Sequence, residues 1–148
     1  MSIALHVAAA QARRQRDAAQ RSVQLQQRIH SNVHAQLAQL QQYAQTTCQR
    51  WGLSARHTAQ PEILHHYNQF MARLEHATGL QTQVVQQHEQ RLAHAAHSLQ
   101  QAQLRLAALQ RVIGQRQLEA ARQTQRREQR ASDERAALQW KNPLCPPF

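Results

Sequence analysis

The sequence predicts an all-α fold, an antiparallel two-helix coiled-coil hairpin whose second helix is longer and projects. Three observations predict it. Only 3 Gly and 4 Pro occur in 148 residues, and Gln, Ala, Arg and Leu fill most of the remainder, a composition of strong helix formers. Apolar side chains recur at alternating steps of three and four along two long stretches. A short segment carrying helix-ending and helix-starting residues parts the two. Aromatic residues make up 4% of the chain, too few for a globular core. The expected organisation is therefore a single elongated coiled-coil element over 1–148.

The first helix is expected over about 3–51. Its seam runs from Leu5 through Ala9, Ala12, Ala19, Val23, His30, Val33, Leu37, Leu40 and Ala44 to Thr47 and Trp51. The start, "MSIALHVAAAQARRQR", is Arg-rich, as a transit peptide would be, yet it continues the heptad, and the heptad reading is preferred. A loop is expected over about 52–60, where "GLSARHTAQ" begins with a glycine suited to a helix C-terminus. Pro61 then suits the first turn of a helix, and Glu62 favours its positive end.

The second helix is expected over about 61–139. Its seam runs from Tyr67 through Met71, Leu74, Thr78, Gln81, Val85, His88, Leu92, Ala95, Leu99 and Leu106 to Ile113. Each seam holds about fourteen layers. Folding about the loop sets Ala44 against Leu74, Ala12 against Leu106, Ala9 against Leu109 and Leu5 against Ile113. Small residues thus face large ones, which fills a seam without voids. The same register sets Leu37 against Gln81 and His30 against His88; a slip of one heptad is the competing register. Beyond Ile113 the seam positions become Arg116, Ala120, Gln123, Arg127, Arg130 and Glu134, which cannot hold a partner helix by apolar contact. A single basic arm of about 25 residues, on the order of 40 Å, should extend past a paired shaft of about 70 Å. "NPLCPPF" ends the helical pattern, so 140–148 is expected to be a disordered tail.

The formal charge is +10, with Lys141 the one Lys among 18 basic residues. That balance points to an acidic partner without choosing its class. The Arg of the arm alternate with Glu119, Glu128, Asp133 and Glu134, and no aromatic is available for base stacking before Trp140. A protein-docking or solvated arm therefore fits better than a nucleic-acid reader. No apolar run approaches the length of a membrane span. Cys48 and Cys145 lie far apart with no CxxC, so a reduced setting without metal–thiolate chemistry is expected. Ten His invite a metal site, but His30/His34, His94/His97 and His65/His66 lack a carboxylate or Cys in a recognisable ligand pattern. No metal, cofactor or catalytic residue is expected, since no nucleophile–base array or phosphate loop is visible. A shared His30–His88 layer would oppose double protonation and loosen the shaft at mildly acidic pH.

The stretch "YNQFMARLEHAT" carries two aromatics, and they differ in position. Tyr67, Met71 and Leu74 lie on the seam, whereas Phe70, Ala77 and Val84 lie beside it, as Gln36 and Tyr43 do on the first helix. Two readings follow. Phe70 and Tyr43 broaden the packing near the loop together with Trp51, or they form an exposed patch for a partner.

The pieces "QLAQLQQY" (36–43), "HYNQFMARLEHA" (66–77) and "QRASDERA" (129–136), in this order and spacing, resemble the FliJ family of the flagellar type III export apparatus. The resemblance covers nearly the whole chain. It implies a non-enzymatic stalk and adaptor that is cytoplasmic and peripheral to the inner-membrane export apparatus. The terminal end of such a stalk enters the hexameric export ATPase ring. Its hairpin end contacts the cytoplasmic domain of the export-gate protein FlhA, and export chaperones also bind. The gate-contacting surface carries over to Gln36, Leu40, Tyr43, Phe70, Leu74 and Ala77. Thr47 and Gln81 depart from the aromatic and the His often found at those positions. Candidates for ring contact are Arg13, Arg14, Arg122, Arg126, Arg127, Asp133 and Glu134. Injectisome stalk proteins of the same superfamily and a general coiled-coil scaffold are the alternatives.

Overall fold

In the computed structural model the chain forms two α-helices, and the structure describes residues 2–57 and 60–141. Helix α1 spans Ser2–His57 and helix α2 spans Pro61–Lys141. The chain divides into two compact units. One comprises Arg14–Gln103, and the other combines Met1–Arg13 with Leu104–Phe148.

The expected seams coincide with the protected faces of both helices. On α1 every seam position from Leu5 to Thr47 is shielded at least in part, and on α2 the same holds from Tyr67 to Ile113. The six most buried apolar residues, Ala9, Ala12, Leu74, Val85, Ala95 and Leu106, all lie on the seams. Period-3.5 patterning thus selected the packing face, as burial of apolar area requires.

Within the 14–103 unit α1 and α2 pack antiparallel, and specific contacts decide the register. The Gln81 carboxamide donates to the Val33 carbonyl at 2.9 Å and to Gln36 Oε1 at 3.2 Å. In a helix the Val33 carbonyl points toward the amide of Leu37, the expected partner of Gln81, and Gln36 immediately precedes that residue. His30 Nε2 lies 3.6 Å from Glu89 Oε1, one residue beyond its expected partner His88. A slip of one heptad would displace each pair by about two helical turns and break both. Hydroxyls on α2 are satisfied within the helix: Thr78 donates to the Leu74 carbonyl and Thr82 to that of Thr78, both at 2.8 Å.

The connection differs from expectation. α1 does not end near Trp51; it continues through Gly52 to His57. No described glycine has a positive φ, so Gly52 is not a left-handed cap. Gly52 is buried, and a Cβ there would stand 3.0 Å from the Tyr67 hydroxyl and 3.8 Å from Cys48 Sγ. It is a notch that admits the Tyr67 ring against α1. A mid-helix Gly costs only about 1 kcal/mol in propensity, and close packing of Tyr67 offsets that cost. Residues 58–59 of the expected loop lie outside the described residues, and Pro61 and Glu62 open α2 as expected. At the other end α2 runs on through Trp140 to Lys141, into the stretch expected as tail; residues 142–148 lie outside the described residues.

In the unit formed by 1–13 and 104–148, Ala9, Ala12 and Leu106 supply the buried packing. From Gly114 to Lys141 all residues are exposed except Ala131, which is half-buried. That stretch of α2 is an arm without a partner helix, because its seam positions are Arg, Gln and Glu.

Candidate partner-binding surface

The turn end of the 14–103 unit gathers the large side chains that the seam does not use. Tyr43 on α1 and Phe70 on α2 meet edge to face, with ring centroids 6.1 Å apart and planes at 77°. They remain 57% and 41% exposed. Quadrupole complementarity favours this edge contact, yet both rings keep much of their surface in water. The pair is therefore ordered by mutual contact and still presented outward.

Beyond this pair an open groove of about 520 Å³ runs toward the turn. Tyr43, Thr47, Trp51 and Ser54 line its α1 side, and Ile63, His66, Tyr67 and Phe70 line the α2 side. Trp51 and Ile63 are exposed. Trp51 was expected to close the seam; instead it lines this groove, because Tyr67 occupies the space beside Gly52. Its place could have been read from its position one and two turns past Thr47 and Tyr43, on one face of the helix. Ile63 and the exposed Leu53 carried no such signal, since both fall where a loop or a first turn was expected.

The other expected gate positions divide by role. Leu74 is only 8% exposed and holds α1 against α2. Leu40 is half-buried on the seam, Ala77 is half-buried beside it, and Gln36 is exposed but bonded to Gln81. Tyr43 and Phe70 are the members that offer free apolar surface.

The positions expected to meet an ATPase ring, Arg13, Arg14, Arg122, Arg126, Arg127, Asp133 and Glu134, are all exposed. Asp133 accepts from Gln129 at 3.3 Å. Within the 14–103 unit, Arg16 is engaged by Asp17 at 2.8 Å. Among the described residues no three His, Cys, Asp or Glu side chains are placed to hold a metal. His97 pairs with Gln101 at 3.1 Å. His65 and His66 are tilted neighbours with centroids 6.1 Å apart. No helix among the described residues is long and apolar enough to cross a membrane.

Long helices packed along their seams, with an ordered aromatic pair near the turn, define a helical coiled-coil protein. The family model for the flagellar FliJ protein matches residues 1–144, and the chain belongs to the FliJ family. Membership makes it a protein of flagellar type III export, within a family of non-catalytic components of that apparatus. No similar curated protein and no similar solved structure was found.

Proposed function

We propose that this chain is a non-enzymatic, cytoplasmic stalk and adaptor of flagellar protein export that links the hexameric export ATPase to the export gate and handles export chaperones. The observation that carries the reading is the Tyr43–Phe70 pair, ordered by edge-to-face contact yet exposed. It supports a docking face for the cytoplasmic domain of FlhA, with Gln36, Leu40 and Ala77 beside it and Leu74 beneath as its packed support. Exposed aromatics clustered near desolvating neighbours are the usual anchors of protein interfaces. The unpaired arm of α2 supports a second contact. Its exposed Arg122, Arg126 and Arg127, with Asp133 and Glu134, offer charged side chains for contact with the ATPase ring, and Arg13 and Arg14 are exposed as well. The chain then sits peripherally to the inner-membrane apparatus.

The test is paired binding of the full chain to the purified gate domain and to the purified ATPase. Phe70→Ala should weaken gate binding at least about tenfold, the scale of one hot-spot residue, and leave ATPase binding intact. Replacing Arg122, Arg126 and Arg127 by Ala should do the reverse. Equal loss for both partners in either variant refutes separate sites, and binding to neither partner by the native chain refutes the reading.

A further inference from the structure

The groove at the turn end of the 14–103 unit has two properties that the aromatic pair alone does not explain. The first is apolar surface beyond the pair. Trp51 and Ile63 line the groove and stay 62% and 44% exposed. An exposed apolar side chain on its own is ordinary, whereas several converging on one groove mark a contact site.

The second property is charge of one sign along the rim. Arg50 follows Tyr43 by seven residues, so it lies two turns along the same face of α1. Arg73 follows Phe70 by three and flanks it on α2. Both are exposed, and neither has an acidic partner among the described residues. Glu62 is the one acidic residue between positions 43 and 73.

We propose that this groove receives an acidic amphipathic segment of the export gate's cytoplasmic domain, with a bulky apolar side chain seated against Trp51 and Ile63 and carboxylates meeting Arg50 and Arg73. The inference rests on the reading of the turn end as the gate-docking face, and it adds the anchors and the chemistry of the bound segment. Trp51 lies eight residues past Tyr43 and Ile63 seven before Phe70. The contact therefore reaches about 11 Å further toward the turn than the aromatic pair. The groove's volume of about 520 Å³ falls within the roughly 300–1,000 Å³ of sites that bury a whole small ligand, so a large side chain has room there. Charge selects the occupant. A second copy of this chain would bring a formal charge of +10 and the same arginines to the rim, whereas carboxylates neutralise Arg50 and Arg73 and steer the encounter.

The test is titration calorimetry of the purified full chain against the purified gate domain, with a thermal melt of each variant. Trp51→Ala removes an anchor, and Ser54→Trp fills the groove from an exposed lining position. Each should weaken binding at least about tenfold and leave Tm unchanged. Arg50→Glu combined with Arg73→Glu should weaken it by a similar factor, and native affinity should fall as salt rises from about 0.05 to about 0.5 M. Binding weakened by Phe70→Ala yet untouched by Trp51→Ala and Ser54→Trp overturns the groove while the turn-end reading stands. Binding untouched by all three overturns both. Affinity independent of salt, or charge reversal without effect, overturns the acidic segment. Affinity losses that track losses of Tm assign Trp51 to packing and overturn its role as anchor. Self-association of the free chain that Ser54→Trp abolishes, followed by sedimentation, places a second copy in the groove and overturns the proposal.

Discussion

Gln81 on α2 reaches across the hairpin to the carbonyl of Val33 on α1, at 2.9 Å, and to the side chain of Gln36, at 3.2 Å. A polar residue on the seam thus does what an apolar one cannot: it ties its helix to one particular turn of the other. Apolar layers in a coiled coil tolerate slippage by a heptad, whereas a directional bond does not. Replacing Gln81 by Ala should lower the stability of the full chain by about 1 kcal/mol, the net worth of one hydrogen bond plus lost packing. Chemical denaturation measures this. Gln36→Ala should cost less, because the Val33 bond remains.

Leu74 and Phe70 are neighbours on α2 with opposite exposure, and their truncations should separate stability from binding. Leu74→Ala should cost about 2–4 kcal/mol as a core truncation. Phe70→Ala should cost about 1 kcal/mol, the edge-to-face contact with Tyr43 and little more. A double-mutant cycle with Tyr43→Ala isolates that contact. Loss of gate-domain binding well beyond the stability change in Phe70→Ala is the expected result of titration calorimetry on the folded variant.

The three glycines should respond differently to Ala. A Cβ added at Gly79 or Gly114 would meet nothing within 4 Å, and both residues lie in helix. Each Ala there should raise stability by about 0.5–1 kcal/mol. At Gly52 the same gain is opposed by the 3.0 Å approach to the Tyr67 hydroxyl. Gly52→Ala should be near neutral, and Gly52→Leu should destabilise by about 1–3 kcal/mol through overpacking. Tm shifts across the series check the ranking.

Removing the arm after Arg116 should leave the unfolding of the 14–103 unit unchanged, because the arm's side chains are exposed and bury almost nothing. Helical signal should fall in proportion to the residues lost. In pull-downs the truncated chain should retain the gate domain and lose the ATPase.

Helicity, the packed face of each helix and the point where α2 becomes solitary were all legible in the order of the residues. These follow from local periodicity, since each turn of helix presents the same face whatever it meets. Pro61 at the start of α2 and the change from Leu106 and Ile113 to Arg116 and Arg127 were equally local signals. The segments quoted for the family resemblance were readable for a similar reason: they record side-chain type and spacing.

Other features exist only once two helices meet. A helix-ending glycine and a helix-notching glycine look alike in sequence; Gly52 became the second only because Tyr67 packs against it. Trp51 followed, leaving the seam for the groove. The partners of Gln81 and the approach of Glu89 to His30 rest on the axial stagger of the helices. Heptad patterns repeat every seven residues and so leave stagger open to whole-heptad slips, which only directional contacts between the helices resolve.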